Sequence, residues 1–208
     1  MKIYLSKIYS ELEAWRNERK ITAKSQKEGY IINVMEEFGE LSAALRLFEK
    51  SKSVNDSHEL KCAEHFIIDA ICDIAVLTIN AGADSNYKPQ TLDTNEKDEI
   101  ITRDANSSLK RLLSNCGEFN IYSCYCGGDL LDILTGCAKI CEIYGFNFEI
   151  AMLETIKEIS SRTGSYNEAT KKWEKDMSDE ARKKWYKADY EKARLYKRGF
   201  SVNIVCCE

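Results

Sequence analysis

Four carboxylates in two short stretches carry the strongest chemical signal in this chain: Glu37 and Glu40, then Asp69 and Asp73. On a helical wheel at about 100° per residue, Asn33, Glu37 and Glu40 fall within roughly 60° of one another, and their stripe lies about 100° from the apolar direction set by Val34, Leu41 and Leu45. They flank a core. Glu36 points nearly opposite the apolar stripe and reads as a solvated acid. Asp69 and Asp73 lie four apart within HFIIDAICDIAVLTINAG, which is apolar on essentially all sides and is expected to be buried; Asn80 shares their stripe. Ionised carboxylates there cost on the order of several kcal/mol unless they are paired or bind a cation. No Lys or Arg occurs between Lys61 and Lys88 to neutralise them locally. Two neighbouring helices that each present such a pair build a pocket of hard oxygen ligands, which selects Mg²⁺, with Mn²⁺ as the alternative, over zinc. Magnesium takes part of its shell from substrate phosphates, so the pattern points to phosphoryl chemistry. The competing reading makes Glu37 and Glu40 surface charges and ties Asp69 and Asp73 to a distant arginine.

The elements that must position these acids are helical. Apolar spacing predicts a first helix over about 4–20, with Tyr4, Ile8, Leu12 and Trp15 on one face, and a second over about 24–50. The second helix has Ile31, Val34, Met35, Phe38, Leu41, Leu45 and Phe48 recurring at threes and fours. Asp56 and Glu59 form a capping-box-like start for a third helix ending near Ala81 and Gly82. Further helices are expected over about 96–114, over 129–144 ending at Gly145, and from a cap at Asn147 to about Ser161. SRTGSYNEATKKWEKD reads as an irregular or hairpin-like excursion. Ser178 caps a last, charged helix to about Arg198, followed by a short apolar tail. A single proline, Pro89, suits long helices. The expectation is one all-α domain over 1–208: a four-helix core over about 4–82 and 128–176, an insertion at 84–127, and a C-terminal helix and tail at 177–208.

Composition bounds the rest. The chain has 208 residues, 44% hydrophobic and 31% charged, with a net charge of −4, as an ordinary soluble globular protein has. The negative balance argues against nucleic-acid binding, which needs a concentrated basic surface. No stretch approaches 18 apolar residues without charge, and no secretory h-region opens the chain, so neither membrane insertion nor export is expected. The nine cysteines are odd in number and read as reduced thiols of a cytoplasmic protein. Cys124-x-Cys126 and Cys137-x₃-Cys141 make a poor zinc set.

With these residues in view, the chain resembles the all-α nucleoside triphosphate pyrophosphatase superfamily, which holds the MazG-like proteins, the dimeric dUTPases and the phosphoribosyl-ATP pyrophosphatases. The family signature is E-x-x-E, a spacer, then E-x-x-D. Glu36-Glu37-Phe38-Gly39-Glu40-Leu41 matches its first half closely. Asp69-Ala70-Ile71-Cys72-Asp73 departs from the second, because Ala70 stands where the family has Glu and the acid falls one residue earlier. The likeness covers 25–82 and returns more weakly over 129–176; 84–127 looks like an insertion.

The resemblance implies Mg²⁺-dependent cleavage of the α–β phosphate bond of a nucleoside triphosphate, giving the monophosphate and diphosphate, as in clearing surplus or non-standard nucleotides. It implies Glu37, Glu40 and Asp73 as metal ligands and Asp69 as a ligand or its support. The doubled glutamate implies Glu36 as the residue orienting water, although the wheel turns it to solvent. A homodimer or homotetramer is implied as well. Asn80 is a candidate for binding sugar or base, or else a buried amide satisfied by backbone. Trp15 could stack a base or sit in the core. Arg162, Lys172 and Lys175 are candidate phosphate contacts, each also readable as a surface charge. His58 and His65 read as structural. Two alternatives stand beside the leading one: a phosphoribosyl-ATP pyrophosphatase-like enzyme, and a catalytically silent helical interaction module, which the Ala70 departure favours.

Overall fold

The computed structural model describes residues 1–86, 88–94, 105–119, 127–170 and 172–195. Among these residues it is all-α, with two small two-stranded ribbons. Helix α1 spans Ser6–Glu18, α2 Ala23–Ser53, α3 Ser57–Ala81, α4 Ala105–Glu118, α5 Gly127–Ile143 and α6 Phe148–Ser161. The principal unit is the antiparallel hairpin of α2 and α3. Helix α5 and helix α6 pack on α3, α1 lies on α6, and α4 on α5. Tyr30, Val34, Leu41 and Ala44 of α2 meet an α3 face that includes Ile67, Ile71, Ile74 and Ala75, all buried.

Local chemistry explains the helix ends. The Thr22 hydroxyl accepts from the Ser25 amide to start α2, and the Asn147 side chain accepts from the Ile150 amide to start α6. Asp56 accepts from the amides of His58 and Glu59, so half of the capping box is present. The Glu59 carboxylate turns instead to the Ser51 hydroxyl, 3.1 Å away. Between α5 and α6 the chain reverses at Gly145, whose φ of 81° favours a residue without Cβ.

Several expectations are corrected. Strand β1, Lys2–Tyr4, pairs antiparallel with β2, Thr91–Asp93, so the first helix begins at Ser6 rather than Tyr4. The excursion after α6 is a β-hairpin of β3, Gly164–Asn167, and β4, Lys172–Lys175. A Cβ on Gly164 would stand 2.3 Å from the Glu174 carbonyl oxygen, so the hairpin requires glycine there. Ser178 does cap a helix, but α7 spans only Asp179–Arg182. The chain then runs on as a strap with one 3₁₀ turn, Tyr190–Ala193, because its backbone amides and tyrosines find partners on α6 and α3. On α2, Ile31 and Met35 are exposed, not core. The expected helical stretch 96–104 and the apolar tail lie outside the described residues, as do Cys124 and Cys126. Cys62, Cys72, Cys116, Cys137 and Cys141 are free thiols. Among the described residues, no helix is long and apolar enough to cross a membrane.

Candidate functional site

The face shared by α2 and α3 opens into a cleft of 440 Å³, closed on its other sides by α1, the end of α6 and the β3–β4 hairpin. One half of its lining is charged: Glu36 and Glu37 of α2, Asp73 of α3, Arg162 and Lys175. The other half carries Trp15, Gln26, Asn33, Leu77 and Trp173, with the Arg19 guanidinium between the two indoles as its charged group. Helix α2 divides in the same way along one stripe, with amides at Gln26 and Asn33 and carboxylates at Glu37 and Glu40 one to two turns later, although Glu40 is exposed and, unlike Glu37, does not line the cleft.

Glu37 is the best-defined acid. Its Oε2 is buried and, among the described residues, has no hydrogen-bond partner. Burial and the nearby charges of Glu40, Asp69 and Glu36 push its pKa up to about 7, against a lesser pull from Arg162. Asp73 is raised well above the usual carboxylate range by burial, then by Asp69 and Glu37. Asp69 is raised by burial, opposed by the hydrogen bond it accepts from Tyr190 at 2.5 Å. These acids are therefore electrostatically one group, with Arg162 the cation common to Glu37, Asp69 and Asp73. Arg162 forms an ion pair with Glu158, at 3.2 Å.

Among the described residues, no three His, Cys, Asp or Glu side chains form a ready-made metal cage. The donor set still suits Mg²⁺. The oxygens are hard, one is buried without a partner, and magnesium asks the protein for only one or two carboxylates when waters and phosphates fill its shell.

Glu36 is exposed yet helps line the cleft. Ala70 is buried in the core; Asp69, one residue earlier, does not itself line the cleft but lies close enough to raise the pKa of Glu37 and Asp73. Trp15 lines the cleft and donates its indole N–H to the Ile159 carbonyl at 3.3 Å. Lys175 lines it too, and its pKa is lowered by burial and then by Arg162. Lys172 is exposed on β4 and does not line the cleft. Asn80 lies elsewhere: it is buried, and its Oδ1 accepts from Arg16 at 2.6 Å, because the α3 stripe runs past the cleft to where α1 crosses it. The His65 ring bonds Glu191 at 2.6 Å, whereas the His58 side chain is exposed.

Arg19, Gln26 and Trp173 also line the cleft, although none is among the residues expected from the sequence. The Arg19 guanidinium sits 5.5 Å from the Trp15 ring centroid and 5.2 Å from that of Trp173. It also donates to the carbonyls of Ser160 and Arg162, fastening the hairpin, and with it Lys175, beside the acids. The seven-residue step from Gln26 to Asn33, continuing to Glu37, was the available signal for the amide half. The fold and site define an all-α protein with an acid-walled cleft. Comparison with family models, curated proteins and solved structures found no match.

Proposed function

We propose that the chain is a Mg²⁺-dependent nucleoside triphosphate pyrophosphohydrolase of the MazG-like kind, converting a (d)NTP and water to the monophosphate and diphosphate. The observation that carries this reading is the buried, unpartnered Glu37 oxygen at the acidic end of a cleft whose other end is aromatic and amide-lined. Such a division suits a ligand with a polyphosphate at one end and a planar hydrogen-bonding base at the other. Glu37, Glu40, Asp69 and Asp73 would hold Mg²⁺, which when bound polarises the phosphates. Arg162 and Lys175 offset the remaining phosphate charge. Glu36 orients a water and takes its proton as the water oxygen bonds to the α-phosphorus. The bond from that phosphorus to the α–β bridging oxygen breaks, and diphosphate leaves with the electron pair.

Trp15 and Trp173 supply apolar surface for the base, and Gln26 and Asn33 polar edges. The exposed side chains of Ile31, Ile32 and Met35 suit a homodimer or homotetramer, and a role in clearing the cytoplasmic nucleotide pool would follow. Diphosphate release from a panel of NTPs and dNTPs, with Mg²⁺ and with a chelator, tests the reading. Chelator-sensitive release from at least one nucleotide is expected; none from any, with helicity intact, overturns it. A catalytically silent module is the second reading, favoured by Arg162, which already lowers the cost of the acids.

A further inference from the structure

The strap after α7 is held at closely spaced points. The Ala188 amide donates to Glu158 at 2.9 Å and the Asp189 amide to Glu154 at 3.2 Å. Arg194 pairs with Glu64 at 2.8 Å, and Glu191 meets the His65 ring. The Asn147 amide donates to the Ala193 carbonyl, and the Leu195 amide to that of Gly145, each at 2.7 Å. At the centre of this run stands Tyr190, 4% exposed. Its hydroxyl donates to Asp69 Oδ1 at 2.5 Å and lies 2.9 Å from the Thr155 hydroxyl. The Thr155 oxygen is itself tied to α6, since it can donate to the Ala151 carbonyl at 3.1 Å. Packing alone would be satisfied by phenylalanine. The hydroxyl instead engages one oxygen of an acid that couples to Glu37 and Asp73.

We propose that Tyr190 is a positioning residue: by fixing Asp69 Oδ1 it sets the direction of the remaining Asp69 oxygen toward the divalent-cation site formed with Glu37 and Asp73. The proposal rests on the metal-site reading above. A carboxylate rotates about its Cβ–Cγ bond, and pinning one oxygen from behind removes that freedom before a cation arrives. Groups that orient a ligand in this way are typically worth about ten- to a hundredfold in metal affinity or activity. The strap thereby becomes part of the site, although none of its residues lines the cleft.

The test is direct Mn²⁺ binding to the full chain, read from the loss of the free-ion electron paramagnetic resonance signal, alongside diphosphate release. Tyr190→Phe keeps the ring and loses the hydroxyl. It is expected to weaken Mn²⁺ roughly tenfold and to raise the half-saturating Mg²⁺ similarly, with nucleotide KM at saturating Mg²⁺ unchanged. In an Asp69→Asn background the same substitution should have no further effect. Tyr190→Phe that binds Mn²⁺ as tightly as wild type overturns the proposal and leaves the function standing. Wild type that neither binds Mn²⁺ nor releases diphosphate overturns both. If Tyr190→Phe unfolds by circular dichroism, Thr155→Val, which removes the brace behind the phenol, decides instead: about threefold weaker Mn²⁺ binding supports the proposal, and no change overturns it.

Discussion

Helix α3 and helix α6 each carry two acids four residues apart, and the molecule treats them in opposite ways. Glu154 and Glu158 of α6 are surrounded by donors: Lys157, Lys192, the Tyr186 hydroxyl and the Asp189 amide around the first, Arg162, Lys187 and the Ala188 amide around the second. Burial alone would raise both, but these partners win and hold Glu154 down to about 2, with Glu158 also below its ordinary value. Asp69 and Asp73 of α3 face mainly other acids, and both are raised. The same spacing is a clasp in one place and an unmet demand for positive charge in the other. Spacing alone cannot tell the two apart; the cations delivered by other elements do.

The sharpest way to break this contrast is to neutralise an acid of the cleft group and an acid of the clasp in turn. Glu40→Gln or Asp73→Asn should lower diphosphate release at least a hundredfold while the urea midpoint holds or rises, since a repelled charge has been removed. Glu154→Ala should do the reverse. It should cost about 2 kcal/mol in urea unfolding, because the Tyr186 hydroxyl, the Asp189 amide and two half-exposed lysines lose their acceptor, with activity falling only as far as the strap loosens.

Acidity offers a third test, with opposite signs at the two sites. Glu37 holds its proton to about 7 in the folded chain, above its ordinary 4.5, so the folded state binds that proton more tightly across the interval. Without divalent cation, stability should therefore fall as pH rises from 5 to 7.5, and Glu37→Gln should flatten that slope. Glu154, depressed to about 2, contributes stability that is present at neutral pH and lost as pH falls below the ordinary carboxylate range. A chelated sample showing no decline above pH 5 would contradict the contrast. The smallest expected effect is at Lys175, which lines the cleft without an ion pair among the described residues. Lys175→Met should raise nucleotide KM about fivefold with little change in kcat.

The α2–α3 hairpin was legible because its apolar period, its Asp56 cap and its paired acids all speak within one local window. Asn147 and Ser178 were legible as caps for the same reason. What escaped depends on distant partners. The charged run after Ser178 reads as helix until Tyr186 and Tyr190 are known to have Glu154 and Asp69 to reach. Ile3 becomes a core strand residue only through Leu92, far along the chain. Asn80 shares the acid stripe on a wheel, but a wheel does not show where α1 lays Arg16. Of the four acids, Glu37 and Asp73 line the cleft, whereas Glu40 and Asp69 do not. The division of the cleft was not legible, because Arg19, Trp173 and Lys175 arrive from elements whose docking no local pattern encodes.

The Arg19 sandwich has an optical consequence. Two of the three tryptophans in the chain, Trp15 and Trp173, flank the same guanidinium and line the cleft, whereas Trp185 does not line it. A ligand entering the tryptophan-lined half alters the surroundings of both indoles, and displacing the hairpin separates one of them from its cation. Intrinsic emission should therefore report occupancy and hairpin docking without any label, with Trp185 as a built-in background that a single substitution removes.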